Sequence, residues 1–217
     1  MSTTTRWWWV RHAPVTENNG KIYGQDDLNC DVSDAETFMR LGSLMPRDAV
    51  WVTSNLKRTH QTAAAIVEKI DDHQVPDPLI EHDFAEQHFG EWQGMTNVEL
   101  AAQKAGDWHR FWLAPASEAP PGGESFVNLF ERTSRAVQRL SKAHAGRDIV
   151  AVTHGGTIRA AIALALGLDP ERALSFSVDN CALTRLDHIT GTAGTHAPHE
   201  DVVWRIGHIN LVPKGLL

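Results

Sequence analysis

The chain has 217 residues, 42% of them hydrophobic and 22% charged, with a formal net charge of −7 at pH 7. That composition supports a large buried core and excludes a disordered chain, while the acidic balance argues against broad electrostatic binding to nucleic acid or to an anionic membrane surface. Cys30 and Cys181, the two cysteines, lie far apart and show no metal-type spacing, which argues against a disulfide framework and fits a reducing compartment.

Two buried free thiols are therefore expected. The apolar run near the N-terminus is too short for a secretory core and no stretch approaches a membrane span, so a cytoplasmic location is expected. Along the chain, Trp7 to Val10 form a short apolar run of the kind that suits a strand buried on both faces of a parallel sheet. Two similar runs follow, Ala49 to Val52 before Thr53 and Ser54, and Ile149 to Val152 before Thr153 and His154.

Helical patterns fill the gaps. Ser33 with Glu36 reads as a capping box opening a helix toward Met45, and Leu56 to Ile70 carries apolar or alanine positions at helical spacing. Residues 125 to 143 repeat Phe126, Leu129, Phe130, Val137 and Leu140, and Gly155 to Leu166 is an alanine-rich helix ended by Gly167 and Pro170. Further strands are expected at Leu79 to Phe84 and Ala182 to Leu186, with Asp201 to Ile209 as an edge hairpin strand. Between Trp92 and Gly123, the aromatics Trp108, Phe111 and Trp112 at helical spacing and the APASEAPPGGES turn suggest an inserted helical cap.

Strand alternating with helix predicts an α/β fold of three layers: a doubly wound, mostly parallel sheet with helices on both faces and a small inserted cap. Residues 1–217 are expected to form one domain, with the cap at about 92–123. In such sheets ligands bind where strands end and helices begin. Arg11, His12, Arg58 and His154 all map to that edge, a local positive cluster that the overall charge lacks. A phosphate dianion suits it, because a guanidinium fork bonds two phosphate oxygens at once. Taken singly, each residue has a plainer reading, a loop histidine or a solvated arginine; the combination carries the argument.

The strand-ending VRH of Val10 to His12, SNLKRTHQT from Ser54 to Thr62, FAEQHFGEWQG from Phe84 to Gly94, PGGES from Pro121 to Ser125 and THGG from Thr153 to Gly156 together resemble the histidine phosphatase superfamily, which includes the phosphoglycerate mutases. RHAPV followed by IYGQDD is similar, at subgroup level, to the α-ribazole phosphatases. The resemblance implies His12 as nucleophile and phosphohistidine carrier, and Glu86 as general acid and then base. Arg11, Arg58 and His154 would hold the phosphate, with Asn18 and the backbone near Gly155 as further donors. It implies no cofactor and no metal, and a small phosphorylated metabolite as substrate. The family's usual Arg-His-Gly is here Arg-His-Ala, which bears on the backbone path at Ala13, since glycine permits angles that alanine does not.

Three other functions compete. A mutase would use the same phosphohistidine, but its pattern carries an arginine and a tyrosine where this chain has Gln87 and Phe89. A metallohydrolase could gather His82, His88 and nearby carboxylates, without any H-E-x-x-H spacing. A non-catalytic phospho-ligand binding protein on the same fold is the third. WRIGHINLV near the C-terminus offers an edge through which a homodimer could pair. The three consecutive tryptophans have two readings: filling of a wide core layer, or rigid anchoring of the strand that aims His12.

Overall fold

The structure, a computed structural model, describes residues 2–70, 76–104, 109–191 and 202–213. Its centre is a six-stranded sheet made of β1 (Thr3–Arg11), β2 (Val50–Thr53), β3 (Leu79–Ile80), β4 (Asp148–Thr153), β5 (Leu183–Thr190) and β6 (Val202–Leu211), in the spatial order β3-β2-β4-β1-β5-β6. Pairings β1 with β4, β2 with β4 and β2 with β3 are parallel; β1 with β5 and β5 with β6 are antiparallel. The sheet is thus mostly parallel, as expected. Its helices are α1 (Ala35–Leu44), α2 (Lys57–Val67), α3 (Asn97–Gln103), α4 (Phe126–Ala143), α5 (Gly155–Leu166) and α6 (Pro170–Ala173).

The alternation of side chains along each strand divides the core in two. Trp7, Trp9, Val52, Ile149 and Ala151 point to one face, where Ala136, Val137 and Leu140 of α4 and Ile158 and Ile162 of α5 cover them. Val10, Trp51, Val150 and Val152 point to the other, under Phe38 and Leu41 of α1 and Ala63 and Ile66 of α2. The three consecutive tryptophans therefore split. Trp7 and Trp9 stack on each other at 4.8 Å between ring centroids, and both meet Phe84 edge-on. Trp8, partly exposed on the opposite face, donates its indole N–H to Asp148 at 2.9 Å and lies under the Arg185 guanidinium. Full burial of a tryptophan is worth ~4–6 kcal/mol of hydrophobic stabilisation at ~25 cal/mol per Å².

Several local expectations need correction. The N-cap of α1 is Asp34, whose carboxylate accepts from the Thr37 backbone N–H, so Ser33 and Glu36 form no capping box. The strand expected over Leu79 to Phe84 ends at Ile80 and continues as a 3₁₀ turn, His82–Phe84, because the chain there bends over the sheet edge. Helix α2 stops at Val67 rather than Ile70. Phe111 and Trp112 lie on bends rather than a helix, their N–H groups both directed at the His109 imidazole, and Trp108 lies outside the described residues. Neither cysteine is in a disulfide; Cys181 is buried, but Cys30 only partly so. At the far edge, the β5–β6 pair buries Asp187 against Arg185 and Arg205, at 3.0 and 2.6 Å. Among the described residues no helix is long and apolar enough to cross a membrane.

Candidate active site

Register sets the site. Thr53 pairs with Val152 and Thr153 with Arg11, and the His12 N–H bonds the Thr153 carbonyl at 2.8 Å, so Ser54, His154 and His12 leave three adjacent strand ends side by side. The His12 and His154 rings are 5.2 Å apart. All three residues are essentially inaccessible to solvent, His12 at 1% and Ser54 and His154 at 0%.

His12 Nδ1 lies 2.7 Å from the Ala13 carbonyl. A carbonyl only accepts, so the ring proton sits on Nδ1 and Nε2 carries the lone pair. Burial, then the fields of Arg58 and Arg11, hold the imidazole well below its ordinary value of 6.5 and keep it neutral. Ala13 is buried, has no positive φ, and gives its N–H to Thr62 Oγ1, so the Arg-His-Ala path needs no glycine.

Arg58, read from the sequence as an ordinary helix-start charge when taken alone, is completely buried. Its Nη1 and Nη2 donate to the carbonyls of Asp26 and Gly24, its Nε to His154 Nδ1 at 3.3 Å, and Tyr23 lies against it at 5.0 Å. The second nitrogen of His154 meets Ser54 Oγ at 2.8 Å. Both His154 nitrogens are thus engaged within the protein, and the ring fixes the plane of Arg58. Arg11 spends Nη1 on the Val178 carbonyl, while its Nε is buried with no partner among the described residues.

Glu86 is 9% exposed and sits beneath the first turn of α5. Its two oxygens accept from the Gln87 N–H at 2.9 Å and the Gly156 N–H at 3.4 Å. A Cβ at Gly156 would collide with the Glu86 carboxylate and come within 2.8 Å of Leu129, so the second glycine of THGG makes room for the acid. Gly90 and Gly123 meet back to back in the same way, which joins the FGEW segment to the PGGE turn. Asn18 is exposed, with its amide on the Lys21 carbonyl, and Gly155 opens α5 beside Arg11.

Two arginines escaped the sequence reading. Arg132 on α4 gives Nη1 to the carbonyls of Asp83 and Ala85 and Nη2 to that of Glu86, and its remaining N–H groups pair with Glu124 at 2.7 and 3.0 Å. Glu124 in turn accepts from the His88 N–H. With Thr153 and Thr157 bonding the Phe84 carbonyl, this frame holds the whole segment that carries Glu86. Arg159 lies over the Trp112 ring at 4.6 Å and bonds the Phe176 carbonyl, and burial lowers its pKa to about 10. It is the sole charge on an otherwise apolar helix, the signal that could have found it.

Above these groups opens a cavity of ≈570 Å³ lined by Arg11, Asn18, Lys21, Tyr23, Glu86 and, from the cap side, Phe89, Arg110, Phe111 and Trp112, among others. His82 and His88 line a separate cavity with Glu124 and Arg132. The sequence model of the histidine phosphatase superfamily, branch 1, matches residues 7–197. The chain belongs to that superfamily.

Among its relatives, the glucosyl-3-phosphoglycerate phosphatase of Mycolicibacterium vanbaalenii is 30% identical over 209 residues, covering 91% of this chain and 90% of that one. The metal-independent phosphoserine phosphatase of Arabidopsis thaliana is 36% identical over 157 residues, 70% of this chain and 64% of that one. Three mycobacterial relatives at 31% identity are longer, and the match spans 45% of their length. A solved structure of a mycobacterial glucosyl-3-phosphoglycerate phosphatase complexed with VO3 superposes with a TM-score of 0.76 at 25% identity, covering 95% of this chain and 98% of that chain. This member of the histidine phosphatase superfamily thus has relatives named as phosphatases and as phosphoglycerate mutase-like proteins.

Proposed function

We propose that the protein hydrolyses the phosphomonoester of a small metabolite, without a metal ion, through a phosphohistidine on His12. The observation that carries this reading is the His12 imidazole itself, neutral, buried, with Nδ1 tied to the Ala13 carbonyl and flanked by two guanidinium groups. Its Nε2 attacks phosphorus in line, and the bond from phosphorus to the ester oxygen breaks. Protonated Glu86 gives its proton to the departing oxygen. In the second half, the Glu86 carboxylate takes a proton from water, the oxygen of that water attacks phosphorus, and the bond to Nε2 breaks to release inorganic phosphate.

Arg11 brings an unpartnered Nε to the transferred group, and Arg58, held flat by His154, supplies the second cation. Asn18 and the α5 N-terminus at Gly155 add neutral donors. The phosphatase relatives support water as the acceptor; the cytoplasm remains the expected location. Turnover of a panel of phosphorylated metabolites in the presence of chelator, with alkaline denaturing quench of a ³²P-labelled ester, tests the reading. Hydrolysis with an acid-labile, base-stable label on the wild-type chain is expected. Full activity of His12→Ala overturns it, and phosphoryl return to a sugar acid with little hydrolysis would make it a mutase.

A further inference from the structure

The reaction described above consumes the charges of Arg11, Arg58 and Glu86, yet the cavity over them holds two more cations that it does not use. Lys21 and Arg110 line the same space as Arg11, and the one carboxylate among the lining residues is Glu86. Neither the Lys21 ammonium nor the Arg110 guanidinium has a hydrogen bond or ion pair among the described residues. The acid that feels Lys21, Glu99, is committed elsewhere: one oxygen accepts from both the N–H and the hydroxyl of Thr96 at the start of α3. Lys21 is also anchored at its backbone, through its N–H to the Asn18 carbonyl and a bridge to Thr96. Arg110 comes from the opposite segment, two residues before Trp112.

A phosphate dianion is matched by Arg11 and Arg58. Lys21 and Arg110 are both solvent-exposed, so each is solvated when nothing is bound; a leaving group with its own anionic group would gain their field, and a neutral one would not. We propose that Lys21 and Arg110 form a second anion subsite, so that the substrate is a phosphomonoester whose leaving group itself carries an anionic group, a carboxylate or a second phosphate. This assignment rests on the phosphatase reading and deepens it. Residues Tyr23 and Phe111, on the same cavity, flank the body of such a molecule with aromatic surface.

Paired esters that differ in that one group test the subsite. Glycerol 3-phosphate against 3-phosphoglycerate isolates a carboxylate; fructose 1-phosphate against fructose 1,6-bisphosphate isolates a second phosphate. In at least one pair, the anionic member is expected to be favoured about tenfold or more in kcat/KM, chiefly through KM, with the preference shrinking as salt rises. Lys21→Met and Arg110→Met, which keep the alkyl stem and delete the charge, are each expected to reduce that preference severalfold. Calorimetric titration of the same pairs into His12→Ala reads the preference without turnover, so the subsite is judged even if hydrolysis fails. A ratio near one in both pairs, or a preference that survives both substitutions, overturns the subsite while leaving the phosphatase reading intact.

Discussion

At the sheet edge, His12, Arg58 and His154 are 1% exposed or less, whereas Phe111, on the cavity that Arg11 and Glu86 also line, is 55% exposed and stands on a bend. One side is built from the ends of three paired strands and two helix starts, where the side chains of His12, Ser54, Arg58 and His154 are buried and hydrogen-bonded within the protein. The other comes from a segment with one short helix and long irregular stretches. On the proposed reading the contrast is a division of labour: in-line transfer needs atoms held to a fraction of an ångström, which paired strands supply, while recognition of a leaving group tolerates variation and would fall to loops.

Substitutions on the rigid wall should have the largest effects. His12→Ala is expected to lower turnover by ~10⁴-fold or more and to abolish the labelled phosphoenzyme, with the far-ultraviolet spectrum unchanged. Retained labelling would show that the nucleophile lies elsewhere. Glu86→Gln should cost ~10²–10⁴ in kcat for esters with poor leaving groups and less for p-nitrophenyl phosphate, whose leaving oxygen needs no proton. Equal losses for both would remove the acid role.

One tier further out, Arg132→Met should lower kcat ~10-fold with a smaller change in KM, because the frame around Glu86 loses five hydrogen bonds. Arg132→Lys should rescue poorly, since an ammonium cannot reproduce the fork. A pure loss of melting temperature with wild-type kcat would reduce Arg132 to a structural brace.

Acid should probe the same wall. His12 and His154 are both held below 6.5 by burial first and by neighbouring arginines second. The unfolded chain therefore takes up protons before the folded one, and stability is full above about pH 6.5 and declines as pH falls below it. Denaturant midpoints measured from pH 7.5 to 5 should decrease, and less so in His12→Ala. The smallest effect belongs to Trp8. On the outer face of β1, Trp8→Leu should cost ~1 kcal/mol and leave kcat near wild type, whereas Trp9→Leu, which removes the support of Phe84 at the head of the Glu86 segment, should cost ~2–4 kcal/mol and lower kcat as well. Equal kinetic effects would restore the idea that all three tryptophans act alike.

Much of the rigid wall was legible beforehand. Three apolar runs ending in polar residues correspond to β1, β2 and β4, and α5 spans the expected Gly155 to Leu166. Strands buried on both faces and helices with long apolar stripes leave strong periodic marks. The cap was less legible: aromatic residues at helical spacing occur at Phe111 and Trp112 without a helix, because their rings are placed by contacts with distant elements, Phe89 and Phe126 for Trp112. Arg132 resembled any solvated helix charge, and its value depends on three carbonyls nearly fifty residues away.

The sequence alone determined which side chains could do chemistry and that they follow strands, because burial and strand termination are local properties of pattern. Tertiary structure decided which of them meet. The insertion of β4 between β1 and β2 brings His154 beside both His12 and Ser54, buries Arg58 beneath them, and leaves Lys21 and Arg110 on the same open cavity. Proximity between residues a hundred positions apart is a property of strand order, and strand order depends on how helices pack on the two faces of the sheet, which no short stretch of the chain encodes.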